Sequence, residues 1–356
     1  CVSEERFSRV KNDERYPKAA IDFLLKEFNL SRGSVDKVVF VSTTWSFGYI
    51  LTRHYTKFSV KDYVDEQHKI WKPRLLEGKN VSQIDVFRDK LDLQQFPGES
   101  FWKDVLVKQA GSSGHVSSSN PGDLNDPSYI RKDVVNQHLG IDPKNIFFAD
   151  HSSSHAAYAY YMSPNCLKEG STLVLTLDAF GDDVNYSASI FRRSNEGFCS
   201  KEVVSQGNSF IIGRLYRYIT LILGLKPNEH EYKVMGMAPY CKDQYSENLL
   251  SVFKTFQEVE GLHFVYKNKP ADMYFSIRSL LEGERFDSIC GAVQRYTEYL
   301  VTQWVENLVS TTGVSEICLA GGVGMNVKAN MLVAKNDCVK SIFVPPSPDD
   351  SSQAMG

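Results

Sequence analysis

The chain has 356 residues, of which 42% are hydrophobic, and this is typical of a globular protein with one large core or two medium ones. Its 40 basic and 43 acidic side chains give a net charge of -3, which excludes the strongly basic surface of a nucleic-acid-binding protein. Seven cysteines without a Cys-x-x-Cys pair disfavour a disulfide framework, and no apolar run reaches the roughly 20 residues that span a bilayer. We therefore expect a cytoplasmic protein with no nucleic-acid or membrane partner.

The first part of the chain combines regular elements with a long irregular stretch. An apolar stripe predicts a helix over residues 17–28, and the run 37–42 predicts a buried strand. From 46 to about 136 the periodicity weakens, which indicates an insertion, with a mobile loop at the Gly- and Ser-rich tract 111–122. Aromatic residues in and beside this insertion suit either the binding of a sugar ring or ordinary packing; they include Trp45, Trp71 and Trp102.

Regular elements return after residue 144. A strand at 145–150 leads into a helix at 153–162, and 172–178 with 186–191 form a strand-turn-strand pattern around Gly181. The later predicted elements are helices at 213–223, 246–258, 289–309 and 325–333, and strands at 316–320 and 341–344. Mixed strands and helices predict an α/β fold with two lobes, which we place at 1–170 and 171–356.

His151 and His155 are spaced for one face of a helix. Imidazoles at i and i+4 can bind a single transition metal, although two ordinary surface histidines would show the same spacing. The position after a strand favours a site, because α/β proteins build sites at the carboxyl ends of strands. Such a metal needs a carboxylate, and the stretch 345–352 offers the adjacent pair at 349 and 350; a solvated turn with a helix cap is the alternative.

Two turns are candidates for nucleotide binding. The stretch 320–326 follows a buried strand and opens a helix, so its backbone N–H groups can face a phosphate. The other turn follows the strand at 172–178 and carries several carboxylates. The candidate nucleotide contacts are Gly321, Gly322, Val323 and Asn326 in the first, and Asp178, Gly181 and Asp182 in the second. A tight turn without a ligand is the alternative for each.

The stretch 228–240 concentrates charge before a tightly turning apolar run. Glu231 and Lys233 can contact a ribose or phosphate, or Glu231 can accept a proton from a hydroxyl. We take His230, Glu231 and Lys233 as candidate catalytic residues; a charged surface loop is the alternative.

Five ordered blocks together resemble the O-carbamoyltransferases of nodulation-factor, cephalosporin and aminoglycoside carbamoylation. They lie at residues 4–11, 150–157, 176–182, 230–240 and 318–326. The resemblance implies a two-lobed actin- and sugar-kinase-like fold, shared with the tRNA threonylcarbamoyl-adenosine enzyme. It also implies transfer of a carbamoyl group from carbamoyl-adenylate, made from carbamoyl phosphate and ATP, to a hydroxyl of a sugar-containing or natural-product acceptor.

The resemblance further implies that His151, His155 and Asp350 bind the metal. Iron is the implied ion, another divalent transition metal is an alternative, and magnesium can accompany ATP. In such enzymes a separate carboxyl-terminal domain makes the carbamoyl-adenylate. We expect this chain to be the amino-terminal part, cut at both ends and incomplete for the whole reaction.

One position departs from the family pattern, since Ser152 stands where a second histidine is common. Two other functions stay open: a kinase or ATPase of the same fold, and a non-catalytic nucleotide-binding subunit. A homodimer is compatible with the sequence. The identity of the acceptor molecule is not indicated by any of these motifs.

Overall fold

The computed structural model describes residues 1–13, 15–44, 52, 58–90 and 127–356, with only the backbone of Pro127, Tyr129 and Ile130. The chain divides into two compact units, Cys1–Ala149 and Asp150–Gly356. The sequence places the lobe boundary near residue 170, and that boundary stays a prediction.

The first unit contains two short parallel strands and several helices. In chain order these are α1 Glu5–Ser8, α2 Lys18–Glu27, β1 Val38–Phe40, α3 Val60–Glu66, α4 Lys72–Leu76, α5 Gln83–Phe87, α6 Pro127–Leu139 and β2 Ile146–Phe148. A π-helical turn, Gln67–Trp71, joins α3 to α4. Val38 pairs with Ile146 in the parallel ladder, and Val135 and Leu139 of α6 form a small core with Ile146.

The second unit is built on a larger sheet. Its elements are α7 His151–Tyr161, β3 Gly170–Leu177, β4 Tyr186–Arg193, β5 Cys199–Gly207, α8 Ile212–Ile222, α9 Glu231–Met237, α10 Asp243–Lys254, β6 Gln257–Glu260, β7 His263–Tyr266, α11 Met273–Leu281, α12 Phe286–Thr312, β8 Glu316–Ala320, α13 Val327–Ala334 and β9 Ser341–Phe343. A 3-10 segment, Asp350–Met355, ends the chain. The mixed α/β class that the sequence predicts is confirmed.

The sheet of the second unit has the strand order β5-β4-β3-β8-β9. β3 pairs antiparallel with β4 and parallel with β8, so the carboxyl ends of β3 and β8 lie side by side. Alternate residues of β3 face opposite sides, as the twofold period of a strand requires. Leu173 and Leu175 enter the main core with α8 and α12, whereas Val174 packs on the other face with Ala156 and Ala159 of α7.

Most predicted elements of the second unit are found within a few residues of their expected ends. One helix differs: it is predicted at 246–258 but spans Asp243–Lys254, and Gln257 and Glu258 belong to the hairpin strand β6. The sequence also does not reveal β5, whose outward residues are mostly exposed. A half-exposed edge strand lacks the continuous apolar run that marks β3 and β8.

Part of the predicted insertion is helical. Helices α3, α4 and α5 lie inside residues 46–136, and α6 begins there. The tract 111–122, Trp45 and Trp102 lie outside the described residues. Trp71 is among the described residues. The Arg74 guanidinium carbon lies 5.6 Å from the centroid of the Trp71 ring. In the described part of the chain, no helix is both long and apolar enough to cross a membrane.

Candidate metal and nucleotide site

Helix α7 presents both histidines of the predicted pair on one face. The helix begins directly after Asp150, whose carboxylate accepts a hydrogen bond from Ser153 N at 2.7 Å. The imidazole rings of His151 and His155 lie 4.8 Å apart between centroids. His155 is 0% exposed and His151 8%, so neither is an ordinary surface histidine.

Asp178, the residue after β3, brings a carboxylate to both histidines. Its Oδ2 lies 2.9 Å from His151 Nε2 and 3.3 Å from His155 Nε2. Its other oxygen accepts a hydrogen bond from Ala179 N at 2.7 Å. The sequence predicts Asp178 as a nucleotide contact, whereas the structure places it among the potential metal ligands.

Asp350 approaches the same two nitrogens from the end of the chain. Its Oδ1 lies 3.2 Å from His155 Nε2 and 3.4 Å from His151 Nε2. The cap that the sequence also suggests is supplied by Asp349, whose side chain accepts from Ser351 N. Asp350 therefore lies at the histidines, and its neighbour Asp349 forms the helix cap.

Gln353 is not among the site residues predicted from the sequence, yet its side chain lies in this cluster. Its Nε2 is 2.9 Å from Nε2 of both His151 and His155, and 3.0 Å from His151 Nδ1. Residues at i and i+3 of a 3-10 helix eclipse each other, so Gln353 follows Asp350 on one face. The sequence signal that could have identified Gln353 is its position three residues after the proposed ligand Asp350.

The turn after β3 supports His151 directly. The Asp182 carboxylate accepts a hydrogen bond from His151 N at 2.9 Å. A Cβ on Gly181 would lie 2.2 Å from His151 Cδ2, so only glycine leaves room for this imidazole. Both residues are predicted nucleotide contacts, and the structure gives each of them a contact with a histidine.

The turn after β8 packs against the end of β3. Gly321 has a φ of +92°, and a Cβ there would lie 2.2 Å from the Leu177 carbonyl oxygen. A Cβ on Gly322 would lie 3.1 Å from Asp178 Oδ1. Val323 packs against the main core. The two predicted turns therefore meet at Asp178, beside the histidines.

Asn326, another predicted nucleotide contact, is engaged within the protein. Its Oδ1 accepts from Ala329 N at 3.0 Å and so caps α13, and its amide pairs with the Gln294 amide. Tyr216 donates to the same glutamine at 2.6 Å. The side chain is buried, so binding a nucleotide through it would break these hydrogen bonds.

The candidate catalytic residues lie on or beside α9, which packs against α8 and α12. The structure does not place them in the histidine cluster. His230 Nδ1 accepts from Lys226 N at 3.1 Å, and the Glu231 carboxylate accepts from Asn228 N at 2.7 Å. Burial raises the pKa of Glu231 above its ordinary value, despite these backbone hydrogen bonds. Lys233 Nζ lies 5.9 Å from the centroid of the Tyr232 ring.

The cluster holds opposite charges when it contains no ion. Burial opposes protonation of His151, but hydrogen bonds and attraction from Asp178 and Asp350 outweigh it and raise its pKa to about 10. The pKa of His155 is raised by the same two carboxylates against the same burial. Although desolvation acts in the other direction, the two histidines hold the pKa of Asp350 far below its ordinary range.

The donor set fits a transition metal. His151, His155, Asp178 and Asp350 each offer one atom, and these atoms lie within 4.8 Å of one another. The histidine-to-carboxylate separations are 2.9, 3.3, 3.4 and 3.2 Å. Ligands bonded at about 2.1 Å are separated by roughly 3.0 Å at right angles and 3.4 Å in a tetrahedron. Two imidazoles with two carboxylates suit iron, zinc and related divalent ions.

A cavity of about 100 Å³ lies beside the turn after β3. Its lining includes Gly181, Asn208 and Arg214. The Arg214 guanidinium lies 4.8 Å from the centroid of the Phe180 ring, which is 62% exposed. This arginine places a positive charge next to the turn that we expect to contact a phosphate.

A family model described as Carbamoyltransferase N-terminus matches residues 1–356. The chain belongs to this carbamoyltransferase family. Its curated relatives include an uncharacterized protein of Synechocystis, 26% identical over 100% of this chain and 52% of the relative. Nodulation protein NolNO of Sinorhizobium fredii is 26% identical over 78% of this chain and 39% of that protein. The chain spans about half the length of the curated relatives it matches.

Solved structures show a more remote similarity to this carbamoyltransferase-family chain. The activator of 2-hydroxyisocaproyl-CoA dehydratase from Clostridium difficile has a TM-score of 0.34 and 14% identity, covering 67% of this chain and 80% of that one. HypF of T. kodakarensis has a TM-score of 0.31 and 12% identity, covering 62% and 37%. Family membership, with the α/β fold, supports the actin- and sugar-kinase-like class that the resemblance implies.

Ser152, where the resemblance leads us to expect a second histidine, has buried partners of its own. Its hydroxyl lies 2.9 Å from Thr176 Oγ1 and 3.0 Å from Ser187 Oγ, all three being buried between α7 and the sheet. The side chain therefore faces away from the histidine cluster. A larger histidine at this position would need the surrounding residues to move.

Proposed function

We propose that this chain is the metal- and nucleotide-binding part of an enzyme that transfers a carbamoyl group from carbamoyl-adenylate to a hydroxyl. The acceptor would be a sugar-containing molecule or a natural product. The observation that carries the proposal is the four-donor cluster His151, His155, Asp178 and Asp350, together with the glycine turns beside it at the ends of β3 and β8. Family membership supports carbamoyl transfer as the reaction class.

The proposed metal ligands are the two histidines, Asp350 and Asp178. A divalent transition metal, with iron as our first candidate, would supply positive charge that stabilises an oxygen as negative charge develops on it. The chain's own residues do the positioning: Asp182 and Gly181 hold His151, and Gly321 and Gly322 bring backbone close to Asp178. Both turns would then face the adenylate phosphate, with Arg214 adding charge from the side.

Glu231 is the proposed general base for the acceptor hydroxyl. Its raised pKa makes the carboxylate a better proton acceptor than an ordinary exposed glutamate. Lys233 and His230 would bind substrate groups beside it. Transfer would form a bond from the acceptor oxygen to the carbamoyl carbon and release AMP. Carbamoyl phosphate, ATP and magnesium would act in the adenylate-forming half of the reaction.

The test supplies the chain with prepared carbamoyl-adenylate and a panel of hydroxyl-bearing sugars and aminoglycosides. We expect AMP release above the rate of spontaneous hydrolysis, in equal amount with a carbamoylated acceptor identified by mass spectrometry. His151→Ala should abolish the stimulated release. In a parallel assay with ATP in place of carbamoyl-adenylate, ADP and a phosphorylated acceptor, unaffected by His151→Ala, would instead establish a kinase.

A further inference from the structure

Gln353 is a buried amide among the metal ligands. Its side chain is only 4% exposed, and its Nε2 lies 2.9 Å from Nε2 of both histidines. These are the atoms that also face Asp178 and Asp350. An apolar side chain would fill the same space, so a buried polar group here calls for a partner that uses it.

The segment that carries Gln353 is fixed at both ends. Asp350 anchors its start at the histidines. At its end, Gly356 donates from its N–H to the Gln353 carbonyl at 2.9 Å. A Cβ on Gly356 would lie 2.0 Å from the Ser154 carbonyl oxygen, so the chain packs directly on α7. These contacts hold the amide against both imidazoles.

An amide carries a donor at one end and an acceptor at the other, so either end can face this cluster. Nε2 is the atom that lies against the two imidazoles. A bound ion would repel this positive end of the amide. Rotation of the last side-chain torsion by half a turn places Oε1 where Nε2 was, and the oxygen then faces the ion.

We propose that Gln353 is a further member of the metal centre. Its amide lies against both imidazoles, and it turns Oε1 toward the ion when the ion is bound. The inference depends on the metal centre of the proposed function and adds to it a neutral oxygen donor. Gln353 is therefore a determinant of metal affinity.

The test compares metal affinities of purified proteins, with Zn²⁺ alone and Co²⁺ alone as probes, by competition with a chromogenic chelator. Gln353→Leu keeps the volume but removes the amide, and we expect affinity to fall about 10- to 100-fold. Gln353→Glu places a charged oxygen at the same position and should bind at least as tightly as wild type. The Co²⁺ absorption spectrum should change in the Leu variant. Gln137→Leu, an exposed position in the first unit, is the matched control.

Circular dichroism verifies the fold of each variant. Should Gln353→Leu not fold, Gln353→Asn withdraws the amide by one methylene and should bind the metal more weakly. Unchanged affinity and spectrum in the variants would overturn the inference while leaving the metal centre intact. Tighter binding in Gln353→Leu would show that the amide blocks the ion, and also overturns it. A wild-type chain that binds neither ion removes both this inference and the proposed centre.

Discussion

The position of the His151 imidazole depends on Gly181, because a side chain there would occupy the same space. A methyl group at Gly181 would overlap the imidazole, and we predict that Gly181→Ala displaces His151 and lowers metal affinity by about tenfold or more. The measurement is chelator competition with Zn²⁺. Gly236→Ala is the matched control, because a Cβ there meets nothing within 4 Å and alanine suits its helix. Equal affinities in the two variants would contradict the described packing.

Protonation of the histidines should compete with the metal. Because the pKa of His151 is raised to about 10 without an ion, binding at neutral pH must release a proton. We predict that affinity rises with pH toward 10, and that calorimetry in buffers of different ionisation enthalpy reports proton release. Affinity independent of pH between 6.5 and 10 would contradict this charge arrangement.

The same residues give the metal-free protein a stability that depends on pH. A raised pKa on His151 stabilises the fold fully below 6.5 and loses that effect as pH rises through about 10. The lowered pKa of Asp350 acts above 3.8 and is lost on acidification. Thermal unfolding of the metal-free chain should therefore show decreasing stability from pH 6.5 to 10. The His151→Ala/His155→Ala variant should lack this slope.

At the level of elements, the site is assembled from the amino terminus of α7, the carboxyl ends of β3 and β8, and the 3-10 segment that follows β9. The sequence indicates this much, because each candidate follows a buried strand and carboxyl ends of adjacent parallel strands lie together. It does not indicate that Asp178 joins the histidines, since the distance between α7 and the turn after β3 depends on packing. The small residues Ala156 and Ala159 allow that close approach.

A substitution at Asn326 distinguishes its role as the cap of helix α13 from a role in nucleotide binding. Asn326→Ala removes the cap of α13 and leaves the Gln294 amide without its partner, so we predict a loss of roughly 1–3 kcal/mol in unfolding free energy. Urea denaturation measures this change, with exposed Asn268→Ala as the control. A variant with unchanged stability but reduced ATP affinity by calorimetry would favour the nucleotide role instead.

For the whole molecule, the strand-turn-strand unit β3-β4 and strand β8 are predictable because each strand is a largely continuous buried run. Helix α9 is less so: its segment is dominated by charge, and a surface loop is the alternative from sequence. The contacts that complete the site come from residues far apart in the chain, such as His155 and Asp350, 195 positions apart. Only the family resemblance predicts that these two residues lie together.

We propose that His151 and His155 hold a metal ion in this carbamoyltransferase-family chain. Elemental analysis of the purified chain, beside the His151→Ala/His155→Ala variant, distinguishes a metal centre from two buried histidines that bind no ion. We predict about one equivalent of iron or another divalent transition metal in the wild type and none in the variant, whose circular dichroism should be unchanged. Metal retained in the variant, or absent from a wild-type chain reconstituted with iron, zinc or cobalt, would contradict a metal centre at these histidines.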